Sequence, residues 1–255
     1  MDASVLASAP GRRRLPADAG APLLTCYDDA TGERAELSAT ALGAWAARTA
    51  ALLRDGCRLG AGDRAAMLLP PHWQSAAVLL GAWSIGVSVS IRLAATAGLP
   101  VLEPGADEPL DAVFAARGRV DDWLEDVPDA RHRFVLDVGA RATPGAPPPE
   151  GYRDFLAEAA RYAGLAPQYA LISPGDPASV DGTSYAQWRT VALGIAEQQD
   201  ITAGDRVLVD ADQHEHPLFW LLAPLAVGAS VVLCVNMDPD LLDVRVGTEG
   251  VTRVL

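Results

Sequence analysis

No lysine occurs among the 255 residues, so all 20 basic side chains are arginines. That excludes, within this chain, a Walker-type phosphate loop, a Schiff-base lysine and any other mechanism that needs a side-chain amine. Cysteine is scarce too. Cys26, Cys57 and Cys234 are odd in number, far apart and form no C-x-x-C pair, which speaks against a disulfide framework and for a reducing cytoplasm. Positive charge is in deficit, with 20 basic against 33 acidic residues and a net charge of -13. Docking on a phosphate backbone would then release no counterions, and nucleic acid is not an expected partner. Met1 to Pro10 is too short an apolar stretch for a signal peptide, and Arg12, Arg13 and Arg14 follow it instead of preceding it. No G-x-S-x-G elbow is present, and Ser173, Ser179 and Ser184 have no neighbouring base in the sequence, so a serine hydrolase has no support.

Half the residues are apolar, enough for a sizeable core. Ala65 to Ile91 and Pro217 to Met237 contain no Asp, Glu or Arg, but prolines and glycines break both runs. Each reads as a helix, a glycine turn and a buried parallel strand, with no membrane span. Ala61-Gly62-Asp63-Arg64 recurs as Ala203-Gly204-Asp205-Arg206; Gly204 lies 142 residues after Gly62, and Gly228 lies 142 after Gly86. A capped helix precedes each copy, one from Ser38 toward Arg54 and one from Ser184, where Gln187 completes a capping box. Helix, strand, helix, strand, twice over, is the pattern of parallel sheets with covering helices. Between the copies, Asp111–Ala116 and Arg133–Val138 read as strands, Val120–Asp126 and Tyr152–Tyr162 as helices, and Tyr169–Ser173 as a short strand. The expected organisation is a flexible tail over 1–20 and one α/β domain over 21–255. Its halves, 21–141 and 151–255, are joined by the proline-rich linker 142–150.

Ser38 to Ile91, with its Leu-Gly-Ala-Gly-Asp-Arg turn and Ala65-Ala66-Met67-Leu68-Leu69-Pro70, resembles the opening of adenylate-forming enzymes, the group of acyl-CoA synthetases, peptide adenylation domains and luciferases. Ala203 to Leu233 resembles the second half of the same large lobe, and the chain is similar also to short actinobacterial relatives of AMP-binding enzymes. The resemblance implies two pseudo-repeated, mostly parallel sheets with covering helices. The family holds ATP phosphates with a Ser/Thr/Gly-rich loop ending in Pro-Lys-Gly. Here the corresponding place reads Pro174-Gly175-Asp176-Pro177-Ala178-Ser179-Val180-Asp181-Gly182-Thr183. Two prolines remove amide donors, two aspartates add negative charge, and no cation replaces the lysine. The sequence also ends at Leu255, before the family's adenine and ribose motifs and the small lobe with its catalytic lysine. What the resemblance implies is therefore a catalytically degenerate binding or interaction module with no catalytic residues of its own. No cofactor is expected, and ATP, AMP or CoA stay open only as ligands.

Two other functions stay open at this point. One is a component of a split acyl-CoA synthetase-like ligase whose missing lobe comes from another chain. The other is a metal-dependent hydrolase. Asp210, Asp212, His214 and His216 share parity after the strand Val207–Val209 and would face one side if the chain stayed extended, as ligands for zinc or manganese. The favoured reading of that stretch is a polar loop. Candidate substrate-binding residues are Ser173, Gly175, His214, His216 and His72. A lobe cut short would expose apolar surface near Phe219–Leu225 or Val231–Val235, and so a homodimer or a protein partner is expected.

Overall fold

The structure, a computed structural model, describes residues 20–100, 104–105, 108–122, 126–138 and 146–255. The tail with its arginine cluster and the linker residues 142–145 lie outside them. The chain divides into two compact units. One comprises Ala44–Pro70 and Gln74–Ala186, the other the described residues up to Gly43, Pro71–Trp73 and Gln187–Leu255.

The first unit holds an all-parallel sheet in the order β4-β3-β5-β6-β7, with β3 at Arg64–Leu68, β4 at Ser88–Ile91, β5 at Leu110–Ala116, β6 at Ala130–Leu136 and β7 at Arg153–Asp154. The second holds β1 (Pro22–Asp28), β2 (Glu33–Ser38), β8 (Arg206–Asp210), β9 (Ser230–Val235) and β10 (Arg253–Val254) in the order β10-β8-β9-β1-β2, where only the β1/β2 pair is antiparallel. Parallel strands need crossovers. These are supplied by α1 (Ala39–Ala51, extended by a π turn over Leu52–Gly56), α2 (Trp73–Ser84), the short α3 (Arg117–Val120) and α4 (Phe155–Ala160), α5 (Tyr185–Gln198), α6 (Ala223–Val227) and α7 (Leu242–Glu249). The mixed α/β class with two mostly parallel sheets is thus as the sequence implied.

The repeat is structural as well as verbal. Asp63 accepts the Gly60 amide at 2.7 Å and Asp205 accepts the Thr202 amide at 2.6 Å. Their carbonyls accept from Ser88 and Ser230, which start β4 and β9. Gly62 and Gly204, like Gly86 and Gly228, take positive φ, which lets the chain reverse before the next strand without a Cβ clash. Each unit carries one copy.

Three local expectations need correction. Tyr169–Ser173 forms no strand, because no described segment pairs with it. The helix expected over Val120–Asp126 is confined to Arg117–Val120 among the described residues. The apolar surface expected near Phe219–Leu225 and Val231–Val235 is buried at Trp220 to Pro224 and at Val231 to Cys234. β9 lies between β8 and β1, so the N-terminal strand makes it interior. Leu208, Val232 and Cys234 then pack on one face of the sheet under Leu242, Val246 and Val251.

Candidate functional site

The segment from Ser173 to Ala186 is folded onto itself. Pro177 and Ser184 form an isolated antiparallel bridge, and the Ala178 and Ser179 amides both donate to the Thr183 carbonyl, at 2.9 and 3.1 Å. Gly182 donates to the Ser179 carbonyl, Asp176 to that of Ser173, Tyr185 to that of Asp176 and Ala186 to that of Pro174. The two aspartates accept two further amides: Asp176 takes Ser173 N–H at 2.7 Å, and Asp181 takes Thr183 N–H at 2.9 Å and its hydroxyl at 3.0 Å. A loop that cradles phosphate must aim such donors outward. Here those of Asp176, Ala178, Ser179, Gly182 and Thr183 are spent on the loop's own oxygens. The Ala178 carbonyl receives Val89 N–H and the Trp83 indole N–H, which fixes the loop along the outer edge of β4. Ser173 and Gly175 stand exposed at its start.

The second candidate region is the carboxyl edge of the parallel sheet in the other unit, where open α/β sheets place ligands. The parity argument fails there because the chain turns at once. Asp210 accepts the Asp212 amide at 3.0 Å and the Gln213 side chain at 2.8 Å, and its carbonyl accepts His214 N–H. His214 then tilts against Phe219, while His216 stacks on Trp188 with ring centroids 5.6 Å apart and accepts Leu218 N–H on Nδ1. The two imidazoles are thus engaged with different aromatic rings. Among the described residues no three His, Cys, Asp or Glu side chains are grouped to hold a metal ion.

Burial sets the proton affinities here. The His72 ring, buried beside Trp73, is pushed down to about 3 by burial, with the Asp28 charge opposing, and is neutral at physiological pH. Burial also lowers His216, and burial followed by the Asp210 charge raises Asp212. Neither His72 nor His216 is thereby favoured as a cation for a phosphate. Burial raises the Cys26 thiol to about 12 and Cys234 to about 11, so neither is a nucleophile. Sequence reasoning missed Asp28 and Asn236, which meet at the ends of β1 and β9 with an Asn236 Nδ2 to Asp28 Oδ1 bond of 2.8 Å. It also missed Trp188 as the partner of His216. The strand order, which brings β1 beside β9, was the information lacking.

No family model matches the chain. Solved structures do match it. Acetoacetyl-CoA synthetase from Streptomyces lividans is 19% identical with a TM-score of 0.69, over 91% of this chain and 39% of that one. An acyl-CoA synthetase of Brucella canis is 18% identical with a TM-score of 0.69, over 100% of this chain and 47% of that one. The N-terminal domain of FACL13 from Mycobacterium tuberculosis is 16% identical with a TM-score of 0.61, over 91% of this chain and 58% of that one. The chain thus spans 39 to 58% of the length of these structures, and at such identities the likeness is one of fold. It bears out the resemblance to the N-terminal lobe of adenylate-forming enzymes. A TIGR03089 family protein of Mycobacterium tuberculosis is 38% identical over 248 residues, 94% of each chain. On that match, the chain belongs to the TIGR03089 family.

Proposed function

We propose that this chain is a catalytically degenerate member of the adenylate-forming fold that acts as a binding or interaction module and does not adenylate carboxylic acids by itself. The observation that carries this reading is the self-satisfied loop from Ser173 to Ala186. The amides of Ser173, Asp176, Ala178, Ser179, Gly182, Thr183, Tyr185 and Ala186 bond to its own carbonyls and to Asp176 and Asp181. A triphosphate arriving there would have to displace those bonds and face two carboxylates with no lysine to offset them, a net repulsion at short range. The scaffold around the loop keeps its sheets and turns, as a protein selected for binding an acyl group, a nucleotide or a partner would. Free, buried Cys26, Cys57 and Cys234 fit a reducing cytoplasm.

The test is ATP–pyrophosphate exchange by the purified chain with a panel of short, long and aromatic carboxylic acids. Exchange at the level of the protein-free blank is expected throughout. Exchange above the blank with any acid, abolished by heating the protein, overturns the proposal.

A further inference from the structure

In the first unit the end of the π turn on α1, β6, β7 and α4 bring together Cys57, His132, Arg153 and Glu158. The Arg153 guanidinium lies 4.4 Å over the Phe134 ring. Its Nη2 reaches His132 Nδ1 at 3.1 Å and the Cys57 sulfur at 3.6 Å, while Nη1 lies 3.6 Å from Glu158 Oε2. A guanidinium only donates hydrogen bonds. Nδ1 must therefore accept, which puts the imidazole proton on Nε2, a buried atom with no partner among the described residues. A second proton can enter only at Nδ1, the atom that Arg153 occupies. Proton and guanidinium thus compete for one lone pair. Burial and the Arg153 charge, with that of Arg131, hold the ring below its ordinary 6.5, against the opposing pull of the Cys57 backbone and Asp111. Burial also raises the Cys57 thiol, although Arg153 beside it acts the other way.

We propose that His132 and Arg153 form a proton-operated latch on the Cys57 thiol: the neutral imidazole holds the guanidinium against the sulfur, and a proton taken from solvent at Nδ1 turns it away. The latch has two discrete positions. In the closed one Arg153 bonds to His132 and covers the thiol, which is 3% exposed, while the arginine side chain itself reaches water at 36% exposed. In the open one the imidazolium repels the guanidinium, which keeps Glu158 as its partner and leaves the sulfur uncovered. Glu158 is fit for that role because Arg161 already holds its other oxygen at 2.9 Å, so the carboxylate stays in place when Arg153 moves. The sign follows from competition. The closed position is complete above pH 6.5 and is lost as pH falls through the lowered value of the folded ring. The proposal does not depend on the function proposed above.

Cys57 is its own reporter. The full-length chain is labelled with 4,4′-dithiodipyridine at successive pH values, each rate is divided by that of the urea-unfolded chain at the same pH, and peptide mass spectrometry resolves the three cysteines. Below pH 6.5 the corrected Cys57 rate should rise by up to about tenfold per pH unit, the limit for a single proton. Cys26 and Cys234, buried in the other unit, should stay protected over the same range. His132→Gln keeps an acceptor for Arg153 but does not titrate, and its Cys57 rate should be flat with pH. Arg153→Met should leave Cys57 open at neutral pH and, by linkage, let the His132 ring titrate nearer 6.5 in a proton NMR titration. That titration needs no glutamine variant to fold. A flat wild-type profile, a rise that persists in His132→Gln, a rise shared equally by Cys26 and Cys234, or a His132 titration unmoved by Arg153→Met overturns the proposal.

Discussion

Arg245 on α7 grips Asp29 at the end of β1 with two bonds, 2.6 Å to Oδ1 and 3.1 Å to Oδ2, and both side chains are almost wholly buried. The guanidinium also lies 4.3 Å over the Tyr27 ring and meets the Cys234 sulfur at 3.4 Å. One helical turn on, Glu249 is held by Arg34, Arg206 and the Tyr27 hydroxyl. Two ion clusters that share Tyr27 therefore fasten α7 to the sheet. Removing one member of a buried pair strands the other charge. Arg245→Met and Asp29→Leu should each lower unfolding free energy by about 3–5 kcal/mol. The double variant should recover most of that loss. Urea unfolding of the four proteins measures it, and a double variant as unstable as the sum of the singles would refute the account.

Stability should fall on acidification in two overlapping windows. The folded state holds His72 at about 3, below the 6.5 of a free imidazole. The unfolded chain takes up the proton first, so the His72 contribution is complete above pH 6.5 and is lost as pH falls toward 3. At Glu249 burial opposes the charge, but hydrogen bonds from Tyr27, Arg206 and Arg34 outweigh it and hold the carboxyl at about 2 against 4.5 when free. Its contribution, on the order of 3 kcal/mol, is complete above pH 4.5 and is lost between 4.5 and 2. His72→Asn should therefore flatten the decline between pH 6.5 and 4.5 and leave the steeper acid limb. Glu249→Gln should do the reverse. Denaturant midpoints measured at successive pH values separate the two.

Local pattern made much of this molecule legible before its fold was known. The Gly62-Asp63 and Gly204-Asp205 turns, the strands at Arg64–Leu68 and Arg206–Asp210 and the glycine stops at Gly86 and Gly228 stand where turn chemistry and apolar runs put them. Trp73, Trp83 and Trp220 are buried in the core, whereas Trp45 and Trp188, on comparable apolar helical faces, are only half-buried. What sequence could not supply is long-range pairing. That β1 lies beside β9 buries Val231–Cys234 and gathers Asp28 with Asn236 at one edge, and neither follows from any window of residues. The alternating parity of Asp210, Asp212, His214 and His216 misled for a related reason. Parity orders side chains only while a ladder holds the backbone, and the ladder ends at Asp210.

The crossing of α1 and α2 depends on a missing side chain. A Cβ at Gly81 would lie 2.5 Å from the Thr49 Cβ and 2.7 Å from the Ala46 carbonyl oxygen. Backbone cannot yield as a flexible side chain does, so the helices must separate. Gly81→Ala should cost about 1–3 kcal/mol as overpacking, although alanine is the better helix former by about 1 kcal/mol. Gly43→Ala, whose Cβ would meet nothing within 4 Å on α1, should raise stability by up to that amount. Opposite signs in thermal unfolding would confirm that the close approach, not helix propensity, fixes residue 81.

The duplicated architecture makes a matched pair of predictions about backbone strain. Arg58 ends the helix of the first copy with φ of 63°, and Asp200, 142 residues later, ends that of the second with φ of 52°. Both sit where a helix closes on a left-handed residue, the position glycine fills most often. Leu59 N–H returns to the Leu53 carbonyl and Ile201 N–H to that of Ala196, which locks each reversal in place. Both side chains are exposed, so the residue type matters mainly through the cost of a Cβ at positive φ, about 1 kcal/mol. Glycine removes that cost but adds freedom to the unfolded chain. Arg58→Gly and Asp200→Gly should therefore each stabilise by a few tenths to about 1 kcal/mol, and additively, because each lies in its own unit. Gly204→Ala, at φ of 89°, should move the other way by a comparable amount. Melting temperatures of the three variants and of the double Arg58→Gly/Asp200→Gly protein test this, and a destabilised Asp200→Gly would show that its carboxylate serves the helix end in a way the backbone geometry does not require.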